Sequence, residues 1–161
     1  MKCFNLTDIE DKKESILFDH FIRVDNIYIA SKVISDEQVD YLNSLGIKVA
    51  IDLKGNNETL FNDKEQFEIK GIKYIHFPIT DISSLTFDQV QEFSEILNEN
   101  ESPKIVYCAS GNRVGALMAL HASMVCGHPR QRAFGFGVRI GMINESTKNQ
   151  VYEKIFKGDK R

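Results

Sequence analysis

The sequence predicts an α/β domain built on a central, largely parallel sheet. Three observations lead there. Short β-branched runs alternate with amphipathic segments along the chain. Two of those segments open on capping boxes, Ser35-Asp36-Glu37-Gln38 and Thr86-Phe87-Asp88-Gln89, a hydroxyl residue followed three positions later by Gln. Two glycines stop a helix directly before a strand, in Gly46-Ile47-Lys48 and Gly71-Ile72-Lys73.

Taken in order, Ile27-Tyr28-Ile29-Ala30 reads as a first strand. The helix opened at Ser35 carries Val39, Leu42 and Leu45 on one face. Lys48 to Leu53 is an almost unbroken apolar run, the pattern of a strand buried on both faces. A helix over about Asn62 to Lys70 feeds a strand over Lys73 to Ile79. Val90, Phe93 and Leu97 form the buried stripe of the helix that Thr86 opens, and Asn98 to Pro103 is a polar turn. Lys104-Ile105-Val106-Tyr107 is then a strand running into Cys108. Val114 to Val125 reads as an apolar helix, followed by helices near Pro129–Val138 and Glu145–Phe156 and a frayed tail, Lys157 to Arg161.

The 161 residues fit one domain, with 42% hydrophobic and 27% charged residues. A net charge of −3, with 20 basic residues scattered among 23 acids, excludes a basic nucleic-acid footprint. No apolar run reaches the length that spans a bilayer, and Met1 to Asp8 lacks the apolar stretch of a secretory leader. Cys3, Cys108 and Cys126 do not read as a disulfide framework and suit a reducing cytoplasm. No Cys/His cluster shows zinc spacing, so neither metal nor cofactor is expected. Cys126 stands 18 residues beyond Cys108, about 20 Å or more along a helix, too far for a resolving disulfide. Cys3 is not expected to be a redox partner either.

The chemistry concentrates in Cys108-Ala109-Ser110-Gly111-Asn112-Arg113. Cys108 ends a strand, where open α/β sheets place their ligands. Gly111 permits the tight curl needed before the next helix. A backbone curled in this way aims the N–H groups of Ala109 to Arg113 at one oxyanion, and the incoming helix adds the positive end of its dipole. Arg113 is placed to grip two oxygens of the same anion. The same field favours a nucleophilic thiolate on Cys108. A Cys ending a buried strand is often only a small hydrophobe; the Gly and Arg at their spacings, on a strand–loop–helix, point to a site.

From about Phe21 to Met142 the chain resembles the cysteine-dependent dual-specificity/tyrosine phosphatase superfamily, and within it the bacterial beta-lactamase-hydrolase-like, phosphatase-like family. The likeness rests on Ile27–Ala30, Leu45–Lys54, His76-Phe77-Pro78-Ile79 and Tyr107–Arg113, whose Cys-x-x-Gly-x-Arg loop matches that family. It implies a three-layer phosphatase-like domain, a sheet of four to five strands flanked by helices, and hydrolysis through a cysteinyl-phosphate. It also implies an upstream Asp as general acid, which Asp81 matches, 27 residues before Cys108; the alternative is that Asp81 caps a turn.

Three features depart from the superfamily pattern. The loop is one residue shorter than in tyrosine phosphatases, a length shared with rhodanese-type sulfurtransferases. Tyr107 stands where a His usually precedes the Cys, and Val114 where a hydroxyl residue usually follows the Arg. Ser110 is the candidate to supply that hydroxyl.

Other polar residues read more plainly. Lys54 either adds charge to the mouth of the site or is a solvated loop lysine. Asp52 is a structural carboxylate, and Asp88 complements a helix dipole. His76 and His121 are expected to be packed, and His20 and His128 show no partner. Arg139 is a candidate to approach the anion. The leading expectation is a cytoplasmic phosphatase-like hydrolase of a small phosphorylated or other oxyanion substrate, acting without nucleic acid or membrane, its oligomeric state open. The alternatives are a sulfurtransferase working through a Cys108 persulfide and a catalytically weak phosphate-binding module.

Overall fold

A computed structural model describes residues 3–12, 16–58, 61–99 and 102–158, arranged as two compact units. The first unit, residues 4–80 and 102–111, holds the whole sheet. Its strands are β1 (Ile9–Asp11), β2 (Phe21–Val24), β3 (Ile27–Ala30), β4 (Val49–Asp52), β5 (Lys73–His76) and β6 (Lys104–Tyr107). They lie in the order β1-β2-β3-β6-β4-β5. β3, β6, β4 and β5 run parallel, while β1 and β2 add an antiparallel edge.

The expected sheet of four to five strands is therefore corrected to six. β1 is three half-polar residues, too short to show a period of two, and β2 lies only two residues before β3. β4 and β6 are buried at every residue, as their apolar runs require, and β6 occupies the middle of the parallel part. β5 is an edge strand and stops at His76, short of the expected Ile79.

Among the described residues this unit carries two α-helices. α1 (Asp36–Ser44) starts on the capping box, Ser35 Oγ accepting from Gln38 N–H, and its chain leaves through Gly46 at φ 83°. α2 (Asp63–Ile69) starts at Asn62, whose side chain accepts from Glu65 N–H. Val39 and Leu42 of α1 and Phe67 of α2 pack with Ala50, Ile105 and Tyr107 of the sheet into one core. Burial of this kind stabilises by roughly 25 cal/mol per Å² of apolar surface removed from water.

The second unit is helical: α3 (Phe87–Leu97), α4 (Asn112–Leu120), α5 (Arg130–Ile140) and α6 (Glu145–Phe156), in residues 81–99 and 112–158 with Cys3. The predicted capping box at Thr86 is present, Gln89 N–H donating to Thr86 Oγ1 at 3.2 Å. The apolar helix expected to Val125 is regular only to Leu120 and widens into a π turn over His121–Val125. α4 and α5 cross closely at two glycines. A Cβ on Gly137 would stand 2.9 Å from Gly115 O, and one on Gly115 would stand 2.8 Å from Gly137 O. Asn100 and Glu101 of the expected polar turn, and Asp159 to Arg161 of the tail, lie outside the described residues.

Candidate active site

β6 delivers Cys108 at its C-terminal end, and Cys108 N–H donates to Ala30 O of β3 at 3.3 Å. The thiol is free and fully buried, and Gly111 N–H donates to its Sγ at 3.1 Å. The chain has curled within three residues so that a backbone donor meets the sulfur. Gly111 makes the curl at φ 96°, a left-handed conformation open to glycine.

Lys32 N–H donates to Ala109 O at 3.3 Å and ties the loop to the chain beyond β3. A cavity of about 320 Å³ adjoins the loop at Ala109, lined also by Lys32, Lys54, Glu58 and Phe61.

His20, for which the sequence offered no partner, lies against the loop. A Cβ on Gly111 would fall 2.6 Å from His20 Cδ2. His20 itself is held in the sheet unit by two bonds with Ser31, whose Oγ accepts from His20 N–H and whose N–H donates to His20 O. Nothing in the sequence around Phe18-Asp19-His20 signals this; the contact spans about ninety positions.

Beneath the loop is a buried polar network. The Tyr107 hydroxyl donates to Asp63 Oδ2 at 2.6 Å, and Lys54 Nζ donates to the same oxygen at 2.8 Å. Lys54 Nζ also lies 3.8 Å from Asp52 Oδ2, which accepts from the Tyr74 hydroxyl at 2.6 Å. Asp52 Oδ1 accepts from Lys54 N–H. Asp52 is thus the structural carboxylate expected. Lys54 is not a solvated loop lysine: it is 4% exposed, because two carboxylates offset the cost of burying its charge. Burial first, then the charges of Asp52 and Asp63, holds the Tyr107 phenol well above its ordinary range. Burial and then the Asp52 bond do the same to Tyr74. His76, expected to be packed, is exposed on edge strand β5, where its ring bonds Lys54 O.

The helical unit carries the remaining site candidates. Asn112 opens α4, and its side chain is committed to structure: Oδ1 accepts from Ile143 and Asn144 N–H, both at 2.8 Å. Arg113, the next residue, is half-buried. Val114 is fully buried, so the position of the usual hydroxyl belongs to the core, while Ser110 is exposed. Asp81 is exposed and caps the short 3-10 helix Ile82–Ser84, accepting from Ser83 N–H at 3.1 Å and the Ser83 hydroxyl at 2.7 Å. Lys154 anchors the end of this segment by donating to Leu85 O at 2.6 Å. Arg139 lies in the last turn of α5.

His121 is packed as expected, 1% exposed, and burial pushes its pKa down to about 4. The reading of the cysteines is corrected. Cys3 and Cys126 form a disulfide across 123 positions, and His121 joins them in a group whose ligand atoms lie within 4.8 Å of one another. Spacing along the chain concealed both.

Comparison with known proteins follows the same lines. The fold matches a cysteine-to-serine variant of Pseudomonas aeruginosa TpbA in complex with pTyr, with TM-score 0.72 and 17% identity over 90% of this chain and 92% of that one. It matches Tk-PTP in the active form with TM-score 0.64 and 16% identity, covering 81% and 91%. Kinase-associated phosphatase, with its catalytic-site cysteine replaced by serine, matches with TM-score 0.67 and 15% identity, covering 82% and 86%. No curated protein matches the chain in sequence. Among the described residues no helix is long and apolar enough to cross a membrane. The family profile PTP-NADK, described as DSP-PTPase phosphatase fused to NAD+ kinase, matches residues 25–155. With most of its length matched, the chain belongs to that family of dual-specificity/tyrosine-type phosphatases.

Proposed function

We propose that the protein is a cysteine-dependent phosphatase that hydrolyses a small or accessible phosphoester through a cysteinyl-phosphate. The observation that carries this reading is the Gly111 N–H donated to Cys108 Sγ, inside a strand–loop–helix that ends on Arg113. The thiolate attacks phosphorus, and the S–P bond forms as the bond to the leaving oxygen breaks. The N–H groups of residues 109 to 113 and the Arg113 guanidinium hold the equatorial oxygens. Asp81 protonates the leaving oxygen, then takes a proton from the water that releases inorganic phosphate and the thiolate. No metal or cofactor enters these steps.

The TpbA structure holds pTyr, which supports an aryl phosphoester as first substrate to try, and the cavity of about 320 Å³ beside Ala109 suits a small leaving group. Affiliation with the beta-lactamase-hydrolase-like branch remains part of the proposal, on the six-residue loop. So does the reading of residues 1–161 as one catalytic domain. Placement in the cytoplasm loses its cysteine argument to the Cys3–Cys126 disulfide. The family match favours phosphoryl over persulfide chemistry. One observation favours slow turnover: Val114, where a hydroxyl would help the thiolate leave, is buried. Orthovanadate-sensitive hydrolysis of an aryl phosphate, abolished in Cys108→Ser, is the expected result. Phosphate binding that survives Cys108→Ser without turnover in the native protein would favour a binding module instead. A persulfide on Cys108 with thiosulfate:cyanide transfer would favour the sulfurtransferase.

A further inference from the structure

The helical unit holds a second set of reactive side chains. α4 widens into the π turn at His121–Val125, where Cys126 N–H donates to His121 O at 3.1 Å. An i to i+5 bond lays residue 126 beneath residue 121, whereas a regular α-helix would rotate the two well apart. His121 Nε2 consequently lies 3.4 Å from Cys126 Sγ, and Cys3 brings its sulfur to the same place.

On its other side the His121 ring meets Ser94, whose Oγ lies in hydrogen-bond contact with Nδ1 and also reaches Val90 O at 3.0 Å. Cation binding through Nε2 requires the tautomer in which Nδ1–H donates to Ser94 Oγ, and the Ser94 hydroxyl is then left to donate to Val90 O. An imidazole held through Nδ1 by an outer partner, with Nε2 facing two cysteine sulfurs, is the arrangement of a metal-ligating histidine. The Phe93 ring meets His121 edge-on and holds its plane.

We propose that Cys3, His121 and Cys126 form a site for a thiophilic divalent cation of the zinc class, open when the Cys3–Cys126 disulfide is reduced. The chemistry balances. A dithiol or phosphine reductant supplies two electrons and, with two protons, converts the disulfide to two thiols. The cation then replaces the two thiol protons, which pass to solvent, and takes the lone pair of Nε2. Tetrahedral coordination with metal–sulfur bonds of about 2.3 Å and metal–nitrogen bonds of about 2.0 Å needs ligand atoms about 3.5–3.8 Å apart. The three atoms, all within 4.8 Å of one another, reach that spacing by a small movement of the exposed Cys3. Water takes the fourth position. The site shares no residue with Cys108 and its loop.

The test uses Co2+ as the probe, with the chain carrying Cys108→Ser so that the remaining free thiol cannot contribute. After phosphine reduction, one Co2+ per chain is expected, with tetrahedral visible bands and a thiolate charge-transfer band. Both are expected to vanish in Cys3→Ser, whose missing disulfide the reduced parent also lacks, and in the unreduced protein. Ser94→Ala should weaken binding by about 10–100-fold with the bands retained. Zn2+ should also protect Cys3 and Cys126 from alkylation, read by mass spectrometry. Cobalt left as its octahedral aquo ion by the reduced chain, or bands unchanged in Cys3→Ser or His121→Gln, would overturn the proposal.

Discussion

The Tyr107 hydroxyl donates to Asp63 Oδ2 at 2.6 Å, immediately before the candidate nucleophile in the chain. Where the wider superfamily pattern has a His, this protein has a phenol that fastens the end of β6 to the first residue of α2. Lys54 shares the same oxygen, and Asp63 Oδ1 has no hydrogen-bond partner among the described residues. The network is therefore sensitive to the loss of any one member.

Removing one member should cost according to the charge it leaves behind. Tyr107→Phe deletes one bond to a carboxylate and should cost about 1.5–3 kcal/mol in urea unfolding. Asp63→Ala strands the buried Lys54 charge, leaving Asp52 3.8 Å away, and should cost about 3–5 kcal/mol. Equal effects of the two substitutions would contradict the assignment of Lys54 as a charge held mainly by Asp63.

The same burial fixes the direction of alkaline sensitivity. Folding holds Tyr74 and Tyr107 protonated above the ordinary phenol value of 10.0. Above that pH the unfolded chain binds fewer protons than the native one, so stability falls as pH rises, and this contribution is intact below it. In tyrosinate absorbance titrations, Tyr74→Phe and Tyr107→Phe should leave the native-state increase near pH 10 unchanged. Their loss should be seen only in the unfolded titration. A smaller native increase in either variant would show that its phenol ionises in the fold.

How much of this could be read in advance depends on whether the signal is local. The boxes at Ser35 and Thr86 satisfy helix ends within four residues, and both are present. The run that became β4 announced two-sided burial, and the strand that became β6 announced the loop after it. β1 left no trace, being three half-polar residues paired with a strand that starts ten positions later. His20 against Gly111, Lys54 on Asp63 and Cys3 on Cys126 depend on closures that no spacing rule encodes. Lys54 and Asp63 are ordinary loop and helix-start residues until the fold dries them together.

Gly111 is the backbone position that the loop can least exchange. Gly111→Ala places an L-residue at φ 96° and a Cβ 2.6 Å from His20. Phosphate or vanadate binding should fall by about 5- to 150-fold, the equivalent of backbone strain of order 1–3 kcal/mol. Adding His20→Ala removes the clash but not the backbone strain, so the double variant should regain stability in urea without regaining anion affinity. Full recovery of affinity would assign the whole effect to the His20 ring.

The central claim is that Cys108 takes up the phosphoryl group. Rapid quench of Asp81→Asn with radiolabelled p-nitrophenyl phosphate, followed by peptide mapping, tests it most directly: that leaving group departs without a general acid, so the variant still forms the intermediate while lacking the base that activates water to remove it. The account predicts label on the peptide carrying Cys108 and none in Cys108→Ser. Turnover with no label on Cys108, or label retained in Cys108→Ser, would contradict it.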